Sequence, residues 1–322
     1  MRAIQVTELG GPDVLTVAEV PAPTCGPAEL LVDVDAAGVN YIDTYFRSGL
    51  YSRDLPYVPG LEGCGTVAEV GAEVAGFAVG DRVAWADAPG SYAEQAVVPA
   101  AIAVPVPDGI DAAVAASALL QGMTAHYLLT STYPARPGDT VLMHAGAGGV
   151  GLLLTQLAVD RDVRVITTVS TDEKAELSRA AGAHEVLRYD DDVVARVRSL
   201  TAGEGVAAVY DGVGASTFDI SLQCLRVRGT MALFGAASGP VPPVDPQRLN
   251  AGGSLFLTRP TLAHHVRTRE ELLWRSGDVF DAIGLGAVQL RVGGRYPLAE
   301  AARAHRDLEG RRTTGSLVLL PR

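Results

Sequence analysis

The sequence predicts an α/β protein in two parts: a β-rich part and, inserted into it, a doubly wound parallel sheet with helices on both faces. Three observations predict this. Residues 1 to about 105 carry short apolar runs broken by Gly/Pro turns. Between Thr140 and Phe234, short apolar strands alternate with helical stretches, the pattern of a parallel sheet. Beyond a proline-rich loop, Pro240 to Pro246, the chain returns to mixed structure that completes the first part. A length of 322 residues suits two domains.

The elements follow in order. Leu30 to Val34, Gly65 to Val70, Arg82 to Trp85 and Gln95 to Val98 read as strands, punctuated by Pro21-Ala22-Pro23, Val58-Pro59-Gly60 and Ala88-Pro89-Gly90. Asp111 to Tyr133 is Ala- and Leu-rich and reads as helix. A turn at Arg136-Pro137-Gly138-Asp139 leads into the buried strand Thr140 to Met143. Gly146-x-Gly148-x-x-Gly151 follows at once, and Val150 to Val159 is helical. Val163 to Val169 is the next strand, Asp172 to Ala181 a helix stopped at Gly182, and Val186 to Arg188 a short strand. Asp191 to Leu200 is helical, Ala207 to Asp211 a strand, Ser216 to Arg226 a helix and Thr230 to Phe234 a strand. A helix over Arg269 to Ile283 precedes strands around Val288 to Val292 and Ser316 to Leu319.

Strand, glycine turn and helix N-terminus are the parts of a dinucleotide-binding unit. The glycines allow a tight turn, a close approach of backbone N–H groups to a pyrophosphate, and close packing of helix on strand. The helix N-terminus adds unpaired donors and partial positive charge. A site selective for NAD usually ends the second strand with Asp or Glu, about 20 residues on. Here stand Ser170-Thr171 and then Lys174, which would accept a 2′-phosphate where a carboxylate would repel it. NADP(H) is therefore expected. Ser170-Thr171-Asp172-Glu173 also reads as a capping box with Ser170 as the cap, a role that can coexist with phosphate binding.

Composition sets limits. With 26 basic against 37 acidic residues the net charge is −11, which argues against nonspecific binding to nucleic acid or anionic membrane. No run of 18 apolar residues suggests a membrane span, and the N-terminus turns polar too early for a signal peptide. Cys25, Cys64 and Cys224 are far apart, offering no zinc or disulfide framework and suiting a cytoplasmic protein.

Longer matches narrow the class. Gly38-Val39-Asn40-Tyr41-Ile42-Asp43-Thr44-Tyr45-Phe46-Arg47-Ser48-Gly49-Leu50-Tyr51, Pro59 to Gly65, Ala145 to Gly151, Arg259-Pro260 and Gly315-Ser316 together resemble the medium-chain dehydrogenase/reductase superfamily, in its zinc-independent quinone oxidoreductase (zeta-crystallin-like) branch. The resemblance runs the length of the chain. It implies a GroES-like β-rich catalytic domain, residues 1–123 plus 262–322, and a Rossmann NADP(H)-binding domain, residues 124–261. It implies NADPH as cofactor, a quinone or α,β-unsaturated carbonyl as substrate and a homodimer. Where the zinc-dependent relatives place Cys and His, this chain has Val39-Asn40 and Leu61, so no catalytic or structural zinc is expected.

The resemblance also implies roles. Asn40 would sit by nicotinamide and substrate, polarising a carbonyl through its amide; the plain alternative is a turn-forming Asn. Tyr45 and Tyr51 would line the pocket, and either could protonate an oxyanion, although packing is the commoner use of tyrosine. Thr124 would contact the nicotinamide from the hinge segment Gln121 to Thr124. Gly148, Gly149 and Val150 would hold the pyrophosphate. Ser170, Lys174 and Tyr189 would hold the 2′-phosphate, Phe234 and Ser238 the carboxamide side, and Arg311 another part of the cofactor. His144 reads as a satisfied core histidine, His264-His265 carries no assigned chemistry, and Asp43 and Glu62 read as structural hydrogen-bonders. Two rival readings are an enoyl-thioester or polyketide-type reductase, and an NADPH-binding redox sensor, RNA-binding or structural protein with little turnover.

Overall fold

The computed structural model describes residues 1–321. Its strands are β1 (Arg2–Gln5), β2 (Thr16–Glu19), β3 (Glu29–Val39), β4 (Glu62–Val70), β5 (Arg82–Trp85), β6 (Gln95–Pro99), β7 (Val104–Pro105), β8 (Thr140–Met143), β9 (Arg164–Val169), β10 (Glu185–Arg188), β11 (Val206–Asp211), β12 (Leu225–Leu233), β13 (Phe256–Thr258), β14 (Val292–Pro297) and β15 (Ser316–Leu320). The helices are α1 (Tyr41–Ser48), α2 (Ala112–Tyr127), α3 (Gly149–Val159), α4 (Asp172–Ala180), α5 (Val193–Leu200), α6 (Phe218–Cys224), α7 (Gln247–Ala251), α8 (Arg269–Gly284) and α9 (Ala301–Glu309). They form two compact units. One comprises Met1–Met123, Val266–Gly284 and the chain from Leu290 onward; the other comprises Thr124–His265 and Leu285–Gln289.

The first unit is built on a seven-stranded sheet in the order β14-β15-β3-β4-β5-β7, with β6 also pairing β3. All these pairs are antiparallel except β14 with β15. Its core gathers Ile4, Leu30, Val32, Val67, Val83 and Trp85. Trp85 is fully buried yet satisfied, because its indole N–H donates to Ser91 Oγ at 2.9 Å. At the end of β3, Gly38 lets the chain pass where a Cβ would lie 2.4 Å from Ala116 O and 2.5 Å from Glu62 Oε2. That close approach brings Asn40 and Glu62 side by side.

The second unit holds a six-stranded, wholly parallel sheet in the order β10-β9-β8-β11-β12-β13. The order reverses between β8 and β11, so the loops after those strands diverge and leave a crevice at their C-terminal ends. Branched and long apolar side chains of β8, β9, β11 and β12 (Leu142, Ile166, Val209, Met231) fill one core with Val197 and Phe218 from the helices.

Two sequence expectations are corrected. The strand placed at Val288 to Val292 lies instead at Val292–Pro297, where Gly293 fits against Thr314 O, an approach of 1.7 Å for any Cβ. The helix placed at Ser216 to Arg226 stops at Cys224, and Leu225 and Arg226 already belong to β12. The continuous helical stretch Ala112–Thr132, its last turn a π-helix from Leu128, is long and apolar enough by composition to cross a membrane. Yet 83% of that window is buried inside the protein, the place of a core helix.

Candidate functional site

In the second unit the crevice is lined by the loops after β8, β9, β11 and β12. The glycine turn after β8 is tight: Ala145 has φ 56°, and Gly148 N–H donates to Ala145 O at 2.9 Å. Gly151 packs α3 onto this turn, since a Cβ there would lie 2.3 Å from Ala145 O. Gly148 is the N-cap of α3 and supplies no side-chain cap, so the first amides of the helix have no side-chain acceptor. A cradle that excludes side chains and offers backbone donors fits a diphosphate. Gly148, Gly149 and Val150 sit at this helix start, as their motif requires.

The turn is braced from behind. Asp211, fully buried, accepts from the N–H groups of Val213 and Gly214 and from the hydroxyls of Thr217 and Ser221. Ser221 thus spends its proton on Asp211 and accepts from His144 Nε2 at 3.0 Å. His144 Nδ1 then accepts from Thr168 Oγ1 at 2.8 Å. Burial holds the imidazole neutral by lowering its pKa, with Asp211 opposing. His144 is therefore a satisfied core histidine joining β8, β9 and α6.

At the end of β9 the structure brings Ser170 and Lys174 together, with Lys174 Nζ 3.5 Å from Ser170 Oγ. The cap of α4 is Thr171, whose Oγ1 accepts from Lys174 N–H at 3.2 Å. This corrects the capping box centred on Ser170: the backbone turns one residue later, which leaves the Ser170 hydroxyl beside the lysine. Tyr189 comes close by another route, its hydroxyl accepting from Ala145 N–H at 2.9 Å and its ring stacking near His144. Arg188, which the sequence reading passed over, donates from Nη2 to Ser170 O at 2.7 Å and pairs with Asp172. The findable signal was positional, because Arg188 ends β10 directly beside Val169, the last residue of β9.

Phe234 and Ser238 lie on the loop after β12. Ser238 Oγ donates to Val213 O at 2.8 Å and accepts from Ser216 N–H at 3.0 Å, clamping this loop to the one after β11. The Phe234 ring covers Gly212, where a Cβ would come within 2.8 Å of Cζ. Thr124 is buried on α2 at the start of this unit. His265 stacks face to face on Tyr127 at 4.2 Å, a contact the sequence reading did not foresee.

The first unit holds the other candidates. Asn40 precedes α1 and is 3% exposed. Its backbone N–H donates to Asp43 Oδ2 at 2.9 Å, one half of a capping box that opens α1, so Asn40 does serve the turn while its side chain also faces inward. Nδ2 donates to Glu62 Oε2 at 2.7 Å and Oδ1 accepts from Gln121 Nε2 at 2.9 Å. Burial raises the Glu62 carboxyl to about 8, against the lowering pull of its Asn40 and Leu120 hydrogen bonds. Burial likewise raises Asp43 to about 6. Tyr45 and Tyr51 belong to an aromatic cluster with Tyr41 and Phe46; their own rings meet edge-on at 5.3 Å. Tyr45 is buried and Tyr51 is 36% exposed. Arg311, in the left-handed region at φ 55°, is near enough to Tyr41 to oppose the rise that burial imposes on that phenol.

Behind this wall lies a second directional chain. Arg47, 2% exposed, pairs with Glu309 at 2.7 Å and donates to His305 Nδ1 at 3.1 Å. A guanidinium cannot accept, so the proton of His305 sits on Nε2 and is donated to Tyr92, which donates in turn to Asp43 at 2.9 Å. Burial and the neighbouring Arg47 push His305 down to about 3, which keeps it neutral.

Zinc finds no site in this arrangement. The Asn40 side-chain oxygen already accepts from Gln121 and its nitrogen donates to Glu62, Leu61 is apolar, and no group of three or more His, Cys, Asp or Glu among the described residues could hold a metal.

A β-rich unit and a parallel dinucleotide-type sheet on one chain define the architecture of medium-chain dehydrogenases and reductases. Residues 26–108 match the alcohol dehydrogenase GroES-like domain family, and residues 149–272 match the family described as zinc-binding dehydrogenase. A quinone oxidoreductase of Pseudomonas aeruginosa is 47% identical, over 99% of this chain and 99% of its own. A 2-haloacrylate reductase of a Burkholderia species is 41% identical over 100% and 99%. A mycobacterial protein solved in complex with NADPH is 62% identical over all of both chains, with a TM-score of 0.98. The chain belongs to the zinc-independent quinone oxidoreductase branch of the medium-chain dehydrogenase/reductase superfamily.

Proposed function

We propose that the protein reduces quinones or related α,β-unsaturated carbonyls with NADPH, without a metal. The observation that carries this is the pairing of Ser170 and Lys174 at the end of β9, beside an uncapped glycine turn, in a chain whose NADPH-bound relative is 62% identical. When bound, NADPH supplies a hydride from its nicotinamide ring. The backbone amides of Gly148, Gly149 and Val150 hold the diphosphate. Ser170 and Lys174 hold the 2′-phosphate, with Tyr189 fixing the glycine turn through Ala145. Phe234, Ser238 and Thr124 orient the nicotinamide end, and Arg311 takes a further part of the cofactor. Asn40 holds the acceptor's carbonyl as charge develops on its oxygen. Tyr45, Tyr51 or solvent returns the proton.

The similarity to a 2-haloacrylate reductase favours activated alkenes as acceptors alongside quinones. A homodimer is part of the proposal. β13 is an open edge of the parallel sheet, and Phe256 on it is 61% exposed, as is Val227 close by at 66%. Residence in the cytoplasm, with no nucleic-acid or membrane partner, agrees with three unpaired cysteines and a net charge of −11.

The test is cofactor oxidation with a small quinone and with an enone, comparing NADPH with NADH, with and without a chelator. Chelator-insensitive turnover preferring NADPH is expected. Lys174→Ala should erode that preference by about tenfold or more, the worth of one charge-assisted contact. Equal use of NADH by the wild type, or a preference that Lys174→Ala leaves intact, refutes the assigned pocket.

A further inference from the structure

We propose that Glu62, Gln121 and Ser316 are positioning residues that set the polarity of the Asn40 amide, so that Asn40 meets the acceptor as an N–H donor. This rests on the reductase reading above. Four buried side chains form one hydrogen-bonded chain. Ser316 Oγ donates to Gln121 Oε1 at 2.8 Å. Gln121 Nε2 donates to Asn40 Oδ1 at 2.9 Å. Asn40 Nδ2 donates to Glu62 Oε2 at 2.7 Å, and the other carboxylate oxygen accepts from Leu120 N–H at 2.7 Å. All four are at most 7% exposed, so water does not compete for these bonds.

The shape of an amide does not choose its direction, since oxygen and nitrogen are nearly the same size. The chain could run backwards with as many bonds. A protonated Glu62 would donate to Asn40 Oδ1, Asn40 Nδ2 to Gln121, and Gln121 to the Ser316 hydroxyl, which accepts as readily as it donates. The ionised carboxylate forbids this, because it has no proton to give. The charge on Glu62 thus acts with the capping contact from the Asp43 backbone to favour nitrogen on the Glu62 side of the Asn40 head. Asn40 keeps one amide hydrogen unspent by the chain in either direction, and the direction decides which side of the head carries it; the observed one places it on the Glu62 side, as the group that steadies a developing oxyanion.

The surroundings allow Glu62 to hold either state. Apart from the amides of α2 and the Asn40 head, the titratable groups acting on its charge are Asp43 on α1 and Tyr92. Tyr92 stays neutral because burial and Asp43 raise its phenol. Asp43 titrates near 6, below Glu62 near 8. Gly38 makes the room that Glu62 occupies, since a Cβ there would lie 2.5 Å from Oε2.

Glu62→Gln tests this without emptying a partner. The new side-chain amide would accept from Leu120 and donate to Asn40, which imposes the reversed chain at every pH. Expected are a fall in kcat of at least tenfold above pH 8, where the wild-type carboxyl is ionised, a KM for NADPH within about twofold of wild type, and loss of the wild-type change in kcat around pH 8. Independently of turnover, the side-chain amide signals of Asn40 in a proton–nitrogen NMR spectrum, assigned by their absence in Asn40→Asp, should shift around pH 8 in wild type and stay fixed in Glu62→Gln. Asn40 signals unmoved between pH 6.5 and 9.5 in wild type would overturn the proposal, as would wild-type kcat and pH profile in Glu62→Gln. Shifting Asn40 signals in a protein that reduces neither acceptor would confirm the polarity relay and refute the reductase reading instead.

Discussion

Two glycines of one motif should fail in opposite ways when given a methyl group. Gly151 would place its Cβ 2.3 Å from Ala145 O and 3.0 Å from the carbonyl carbon and Cα of Gly146. These are backbone atoms of the turn, so α3 must move away from it. Overpacking of this kind costs roughly 1–3 kcal/mol, which lowers Tm by roughly 2–10 °C in a chain of this size. Gly148 is different. Its φ of −77° and ψ of 171° suit any residue, and a Cβ there meets only Ala145 O, at 3.2 Å. Gly148→Ala should therefore fold with a Tm within about 1 °C of wild type, a surface-like change. Its methyl would cover the uncapped amides of α3 and displace a diphosphate oxygen. Loss of one charge-assisted hydrogen bond costs about 1.5–3 kcal/mol, or roughly ten- to a hundredfold in NADPH affinity. The assay is thermal unfolding of both variants without ligand, alongside NADPH titration by nicotinamide fluorescence. Wild-type NADPH binding by Gly148→Ala, or an unchanged Tm for Gly151→Ala, would refute this division of labour.

Arg47 should be a stability residue and not a catalytic one, because its guanidinium serves Glu309, His305 and the Gly10 carbonyl from a fully buried position. Arg47→Ala should lose about 3 kcal/mol in urea unfolding, the lower end of the range for breaking a buried pair because Glu309 remains about one-third exposed; an effect below about 1 kcal/mol would show that the pair is effectively solvated. Stability should also fall as pH rises. The Glu62 carboxyl titrates near 4.5 when unfolded and near 8 when folded, so the fold holds this proton more tightly. That contribution is complete below pH 4.5 and lost through pH 8, by about 5 kcal/mol at most. Asp43 acts in the same sense but has finished by about pH 6–7. Urea unfolding at pH 7 and pH 9 should differ in wild type and not in Glu62→Gln; parallel behaviour of the two proteins would assign the slope to other groups.

Much of the fold was legible because it rests on local, periodic signals. The alternation from Thr140 to Phe234 yields β8 to β12 with α3 to α6 between them, since each strand and helix must turn its apolar face to a common core. The glycine turn was legible for a similar reason: Ala145 to Gly151 is a contiguous segment whose backbone geometry is set by its own residues. Errors came where neighbours decide. Nothing local distinguishes Val288 from Val292 as a strand start; pairing with β15 at Ser316 makes that choice. Ser170 and Thr171 are equally good caps by residue type, and only the folded backbone makes Thr171 the cap.

The sequence by itself determined the fold class, the dinucleotide-type turn, the expectation of a 2′-phosphate partner and the absence of a Cys/His ligand set at Asn40 and Leu61. These depend on residue identity and short-range order along the chain. Only the tertiary structure decided which polar groups meet. Glu62, Gln121 and Ser316 are scattered along the sequence, yet β4, α2 and β15 deliver them to one amide. Arg188 reaches Ser170 because β10 lies beside β9, and His305 reaches Asp43 through Tyr92 because α9, α1 and the loop before β6 meet in one core. Such chains lie beyond pattern reading, because a hydrogen bond depends on distance and direction in space, and the separation of its partners along the chain carries neither.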